Sequence, residues 1–295
     1  MRSSSLLAFI AFFAFPGGPC LFAGEPTTAP SDPPRKLLWS DEFDGNALDR
    51  SKWNFDLANG FHPQDNQNIW ISGWGNNELE YYTDRPENVY VKDGLLHIRA
   101  ARESYQGCSF TSARLTTRGL FARAFGRFEF RAKLPIGKGL WPAIWLLPAD
   151  NAYGPWPASG EIDILEARGD RPTQIFGTIH FGCAAAADTA SATATLPNNS
   201  TIANFHVYAL EWKPGEMRWF IDGECYATQR KWWSSSKPAA HGPPDADDLN
   251  PPHAPFDKPF YLIINLAVGG NFAGNPDADT EFPQEMLIDY VRVYE

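Results

Sequence analysis

Hydrophobic and polar residues alternate along much of this chain. Phe128, Phe130, Ala132 and Leu134 interleave with Arg127, Glu129, Arg131 and Lys133, the period-two pattern of a strand with one face in a core and one in water. Val89 to Ile98 carries Asp93-Gly94 at its middle, and Trp219 to Tyr226 carries Asp222-Gly223; both dipeptides signal tight hairpin turns. Tyr261 to Val268 is a mostly apolar run suited to a central strand, and Leu287 to Tyr294 closes the chain as another. Helical periodicity is nearly absent. Many short strands with such turns predict an all-β fold, a sandwich or jelly roll of two antiparallel sheets. Two stretches depart from the pattern. Ala184 to Asn204 is dominated by Ala, Thr, Ser and Asn, and Ser234 to Pro259 is crowded with Pro, Ala and Asp. Both are expected to be long surface loops inserted in a single domain.

Against this scaffold one stretch stands out, Gly160-Glu161-Ile162-Asp163-Ile164-Leu165-Glu166-Ala167. Strand alternation puts Glu161 and Asp163 on one face and Ile162 and Ile164 on the other. Glu166 has the wrong parity and would be buried among the isoleucines as an unpaired charge, at a cost of several kcal/mol. A β-bulge at Ile164–Leu165 would return it to the face of the other two acids, and bulges of this kind occur beside active sites. Two glutamates on one face suit hydrolysis of a glycosidic bond, one as nucleophile and one as proton donor, with the aspartate holding their pKa values apart. Straight-strand arithmetic separates the glutamate Cα atoms by about 13 Å, a gap that long side chains leaning together can narrow. A Ca²⁺ site or a solvated acidic strand is the alternative.

The same parity puts Trp141 and Trp145 of Gly139-Leu-Trp-Pro-Ala-Ile-Trp-Leu-Leu-Pro on one face of a strand, about 13 Å apart. They fit either a platform for successive sugar rings or a pair of core tryptophans. Eleven Trp, ten Tyr and twenty-one Phe exceed what a minimal core needs. A formal charge of −10 argues against nucleic acid and anionic polymers as partners, and fits a neutral polysaccharide. At the N-terminus, Arg2 followed by the apolar run Leu6 to Phe15 reads as a signal peptide over residues 1–24, too short to span a membrane. Residues 25–36 read as a flexible lead-in and 37–295 as the catalytic domain. The mature protein is expected to be secreted, extracellular or periplasmic, with no membrane attachment after cleavage. Cys108, Cys183 and Cys225 remain after cleavage; one disulfide with one free thiol and three small buried residues are both open.

Glu161-Ile-Asp163-Ile-Leu-Glu166 resembles the signature of glycoside hydrolase family 16, and its spacing resembles the laminarinase (endo-1,3-β-glucanase) branch. Trp39-Ser-Asp-Glu-Phe-Asp, Ser112-Ala-Arg-Leu, Trp141-Pro-Ala-Ile-Trp, Asn265-Leu-Ala-Val-Gly-Gly and Asp289-Tyr-Val-Arg-Val-Tyr extend the likeness over nearly the whole mature chain. The resemblance implies a jelly roll with a concave cleft and a retaining mechanism. Glu161 would be the nucleophile, Asp163 its assistant and Glu166 the general acid/base. It also implies sugar contacts from Asn77, Arg114, His180, Trp141 and Trp145, with Trp156 as a further wall. Related enzymes hold a structural Ca²⁺, for which Glu42, Gly94 and Asp289 are the matching residues; an ion pair to Arg or Lys is the alternative for Asp289, whose parity puts it in an apolar layer. No cofactor is implied for the chemistry. The expected partner is a β-glucan, 1,3-linked or mixed 1,3-1,4-linked, acted on by a monomer. A non-catalytic glucan-recognition protein, a transglycosylase and a hydrolase of another β-linked polysaccharide are the competing readings.

Overall fold

Alternating strands can bury their apolar faces only against a second layer, and the chain builds two. The computed structural model describes residues 35–63, 66–237 and 244–295; the leader and nearly all of the lead-in fall outside them. One sheet has ten strands. Its main path runs Glu224–Gln229, Glu216–Ile221, His206–Lys213, Gly126–Lys133, Gln284–Tyr294, Leu95–Tyr105, Cys108–Ser112 and Glu80–Tyr82. Leu37–Asp41 and Val89–Lys92 pair alongside it. The other sheet has seven strands in the order Ala186–Thr195, Gln174–Cys183, Glu161–Glu166, Leu140–Pro148, Phe260–Val268, Arg114–Thr116 and Asn54–Phe55. Every pairing in the seven-stranded sheet is antiparallel.

The core lies between these layers. Phe128, Phe130, Ala132 and Leu134 are buried as the alternation requires, and they share one cluster with Ile162, Ile164, Leu262 and Ile264 of the other sheet. Both Asp-Gly turns form where expected. Asp93 and Gly94 have φ of 53° and 73°, and Asp222 and Gly223 have 50° and 87°, the left-handed pair that a type I′ hairpin needs. Phe260–Val268 is buried at every position, as a central strand should be.

Two expectations are revised. Ala186–Thr195 is not loop but the edge strand of the seven-stranded sheet, paired over its whole length with Gln174–Cys183. Small residues suffice there because an edge strand covers little core. Asp289 does not face the apolar layer. The register shifts between Arg131 and Ala132, which pair with Tyr290 and Ile288, so Asp289 is the extra residue and turns outward to an ion pair with Arg131. Glu42 is held by Arg292, with Nη2 2.7 Å and Nε 3.0 Å from its oxygens. Arginine therefore neutralises both acids in this conformation. None of Cys108, Cys183 and Cys225 forms a disulfide.

One glycine sets the distance between the layers beneath the acids. A Cβ on Gly177, in the strand next to Glu161–Glu166, would sit 2.6 Å from Trp219 Cδ1 and 2.6 Å from the Tyr226 hydroxyl. Gly177→Ala is expected to destabilise the fold by about 1–3 kcal/mol through overpacking, measured as a lowered urea midpoint with an unchanged m-value.

Candidate active site

The bulge forms in the acidic strand, one residue wide. Trp145 pairs with Asp163 and Ile144 with Leu165, leaving Ile164 as the extra residue. On the other side Asp163 pairs with Thr178 and Glu166 with Phe176. Ile162, Ile164 and Leu165 are buried, while Glu161 and Glu166 keep partial exposure. All three acids therefore share the outer face of the seven-stranded sheet. A bulge disturbs the ladder, and a buried carbonyl still needs a donor. Trp219 of the opposite sheet supplies it, its indole N–H reaching the Asp163 carbonyl at 3.0 Å.

Each glutamate receives its own indole donor. Trp156 Nε1 donates to Glu161 Oε2 at 2.9 Å and Trp141 Nε1 to Glu166 Oε1 at 3.1 Å. His180, opposite Glu161 in the ladder, places Nε2 3.3 Å from Asp163 Oδ2 and 3.9 Å from Glu161 Oε1. Its Nδ1 lies 3.0 Å from the Thr189 hydroxyl on the edge strand. Burial opposes the imidazolium, but the contact with Asp163 and the charges of Glu161, Asp163 and Glu166 outweigh it and push the His180 pKa up to about 9. His180 is thus a cation at neutral pH.

These acids titrate as a cluster. Burial, and then the charge of Asp163, push Glu161 up to about 8, while His180, the Trp156 N–H and Arg114 pull it back. Burial drives Glu166 well above the usual range, reinforced by the charges of Asp163 and Glu161, against the Trp141 N–H and a weaker pull from His180. Glu161 has more groups that favour its ionised form, so of the two it gives up its proton more readily. That division is what an acid and a nucleophile require.

The other sequence candidates fall around this centre. Trp141 and Trp145 lie on the acidic face, Trp141 touching Glu166 and packing on Phe272 at 5.1 Å. Trp145 donates its indole N–H to Asn265 at 2.8 Å. Asn77 is exposed, with φ 59°, and its amide donates to Asn271 at 2.8 Å, beside Phe272. Arg114 is held by neighbouring side chains. It is 7% exposed, paired with Asp56 and packed on two indole rings. Trp156, expected only as a wall, is half-exposed at 52% and touches the nucleophile candidate. Asn265, Asp56 and Trp219 were missed. Asn265 had a signal, since it is the lone polar side chain in an otherwise apolar strand. Glu161, Asp163 and His180 bring ligand atoms within 4.8 Å of one another.

Residues 76–241 match the model of glycosyl hydrolases family 16. The chain belongs to that family. It is a glycoside hydrolase, 43% identical over 281 residues to glucan endo-1,3-beta-glucosidase A1 of Niallia circulans, a match covering 90% of this chain and 39% of that protein. A beta-glucanase of Rhodothermus marinus is 44% identical over 264 residues, covering 88% of this chain and 85% of its own length. The X-ray structure of the laminarinase from Rhodothermus marinus superposes with a TM-score of 0.74 and 41% identity, over 90% of this chain and 99% of that one. The all-β jelly roll of this hydrolase is the fold of those structures.

Two measurements check the electrostatics. An N–H donor favours the ionised carboxylate, so its removal raises that acid's pKa. Trp141→Phe is expected to move the alkaline limb of the kcat/KM–pH profile upward, and Trp156→Phe to move the acidic limb upward. Glu166 has a raised folded-state pKa, so its ionisation weakens the fold as pH climbs above the unfolded carboxylate value. Glu166→Gln is therefore expected to raise the melting temperature at pH 7 by about 2–4 °C for each kcal/mol of charge burial relieved, and to leave it unchanged below about pH 4.

Proposed function

We propose that this chain is a retaining endo-β-1,3-glucanase acting on laminarin-type glucans, with some tolerance of mixed 1,3-1,4 linkages. The observation that carries the reading is the bulge at Ile164, which gathers Glu161, Asp163 and Glu166 on one face with separate donors for the two glutamates. Glu161 attacks the anomeric carbon as Glu166 protonates the departing glycosidic oxygen, and a glycosyl ester forms on Glu161. Glu166, now ionised, takes a proton from water; the oxygen of that water attacks the anomeric carbon and frees Glu161. Asp163 and the His180 cation stabilise the charge that shifts between the two steps. Acids alone supply this chemistry, so no cofactor is called for.

The names of the relatives, a 1,3-glucosidase and a laminarinase, support 1,3-linked glucan over other polymers. All three acids are present, which favours catalysis over glucan recognition. Residues 37–295 would form the catalytic domain. The Arg2 to Phe15 leader supports export, and no described helix is long and apolar enough to cross a membrane.

Reducing-end release from laminarin, lichenan, agarose and carrageenan tests the proposal. Cleavage of laminarin, or of laminarin and lichenan, is expected, falling by at least about 10⁴-fold in Glu161→Gln. Proton NMR of the first products should find the β-anomer before mutarotation; the α-anomer would overturn retention, and silence on every polymer would overturn the hydrolase reading.

A further inference from the structure

We propose that Asp56 and Asn265 are positioning residues for glucan binding, which together clamp the Trp145 indole into a rigid sugar platform, Asp56 through Arg114 on the ring face and Asn265 through the indole N–H. The inference rests on the glucan cleft proposed above and assigns work to two residues outside the catalytic set.

The face of the ring is held first. The Arg114 guanidinium carbon lies 4.8 Å from the Trp145 ring centre and 4.3 Å from that of Trp74, so one cation lies against two indoles. A guanidinium this far from water needs an anion. Asp56 provides it, with Oδ2 3.0 Å from Arg114 Nε, and the Asp56 backbone N–H donates to the Arg114 carbonyl at 3.0 Å. Without the carboxylate, the buried cation would draw towards solvent and take its support away from both rings.

The edge of the ring is held by a directed chain. Trp145 donates to Asn265 Oδ1 at 2.8 Å, Asn265 Nδ2 donates to the Tyr82 hydroxyl at 3.0 Å, and Tyr82 donates to Glu78 Oε2 at 3.1 Å. An indole can only donate and a carboxylate can only accept. These fixed ends set the direction of every bond between them, including the orientation of the Asn265 amide. Asn265 is buried at 6% and Tyr82 at 0% exposure, where a mispaired polar group would be costly. The loop bearing Trp74 is fastened to the strand bearing Asn265. Leu79 N–H donates to the Val268 carbonyl at 2.8 Å, and Val268 N–H donates to Glu80 Oε2 at 2.6 Å. Burial, and then the charge of Glu78, raise the Glu80 pKa well above the usual range.

Trp145 sits opposite Asp163 in the ladder, so a tilt of its ring displaces any sugar stacked beside the acids. A ring fixed in advance loses less freedom on binding. The clamp should therefore act on affinity shared by ground and transition states, which appears in KM and not in kcat.

The test is steady-state kinetics on laminarin, or on whichever β-glucan the wild type cleaves, together with affinity electrophoresis in a Glu161→Gln background. Asp56→Asn and Asn265→Leu are each expected to raise KM about tenfold with kcat within about twofold. Asp56→Glu, which restores the anion, and Asn265→Asp, which keeps the acceptor for the indole, should recover part of the loss. Tyr82→Phe removes one hydroxyl from the chain and serves if Asn265→Leu does not fold. KM values within twofold of wild type in Asp56→Asn and in the Asn265 or Tyr82 variant would overturn the clamp, whatever happens to the melting temperature. A fall in kcat at constant KM would overturn it as well. Failure of the wild type to cleave or bind any β-glucan would instead sink the functional reading.

Discussion

Three carboxylates on one short strand cannot all be ionised, dry and close together. Most of what surrounds the Glu161–Glu166 strand answers that constraint. The bulge at Ile164 turns Glu166 away from the core, where its charge would have no partner. His180 lends a positive charge to Asp163 and Glu161. Two indole N–H groups from Trp141 and Trp156 stabilise one glutamate each, and the unequal company holds the proton more firmly on Glu166. Such an asymmetry is what a nucleophile and an acid would need, since a pair of equivalent carboxyls supplies neither.

The aromatic surface beside the acids is mostly not free. Trp141, Trp145 and Trp156 each use the indole N–H for a protein contact, and Arg114 covers part of Trp145 and Trp74. What remains exposed is ring face and edge, which would suit the apolar C–H faces of a neutral polysaccharide under the proposed function.

Much of the fold was legible in the sequence because its strands obey period-two alternation and its hairpins carry Asp-Gly. The acidic strand was legible for a sharper reason: a charge at a buried parity demands either a partner or a bulge. Asp289 posed the same puzzle. It was read as a buried carboxylate calling for a metal or an ion pair, whereas the register shift opposite Arg131 and Ala132 turns it outward. The argument that found the bulge before Glu166 applies equally to Asp289. Ala186–Thr195 was illegible for the opposite cause. An edge strand of Ala, Thr and Ser has no apolar face to display, and only its neighbour Gln174–Cys183 defines it. Arg114 was recognised as important but not as buried, since nothing local to it reveals the two tryptophans or Asp56.

The hydrogen bond from Trp219 to the Asp163 carbonyl, with Gly177 making room for the indole, means that the reactive centre spans both layers. The ten-stranded sheet binds no substrate group directly through this contact, yet it holds the bend that aims the second glutamate. Any change in the spacing between the layers, whether from a core substitution far from the cleft or from partial loosening of the sandwich, would be transmitted to the catalytic strand as a change in curvature. The back of the molecule is thereby a tuning element for the front, and the acidic strand cannot be transplanted to another sheet without the tryptophan behind it.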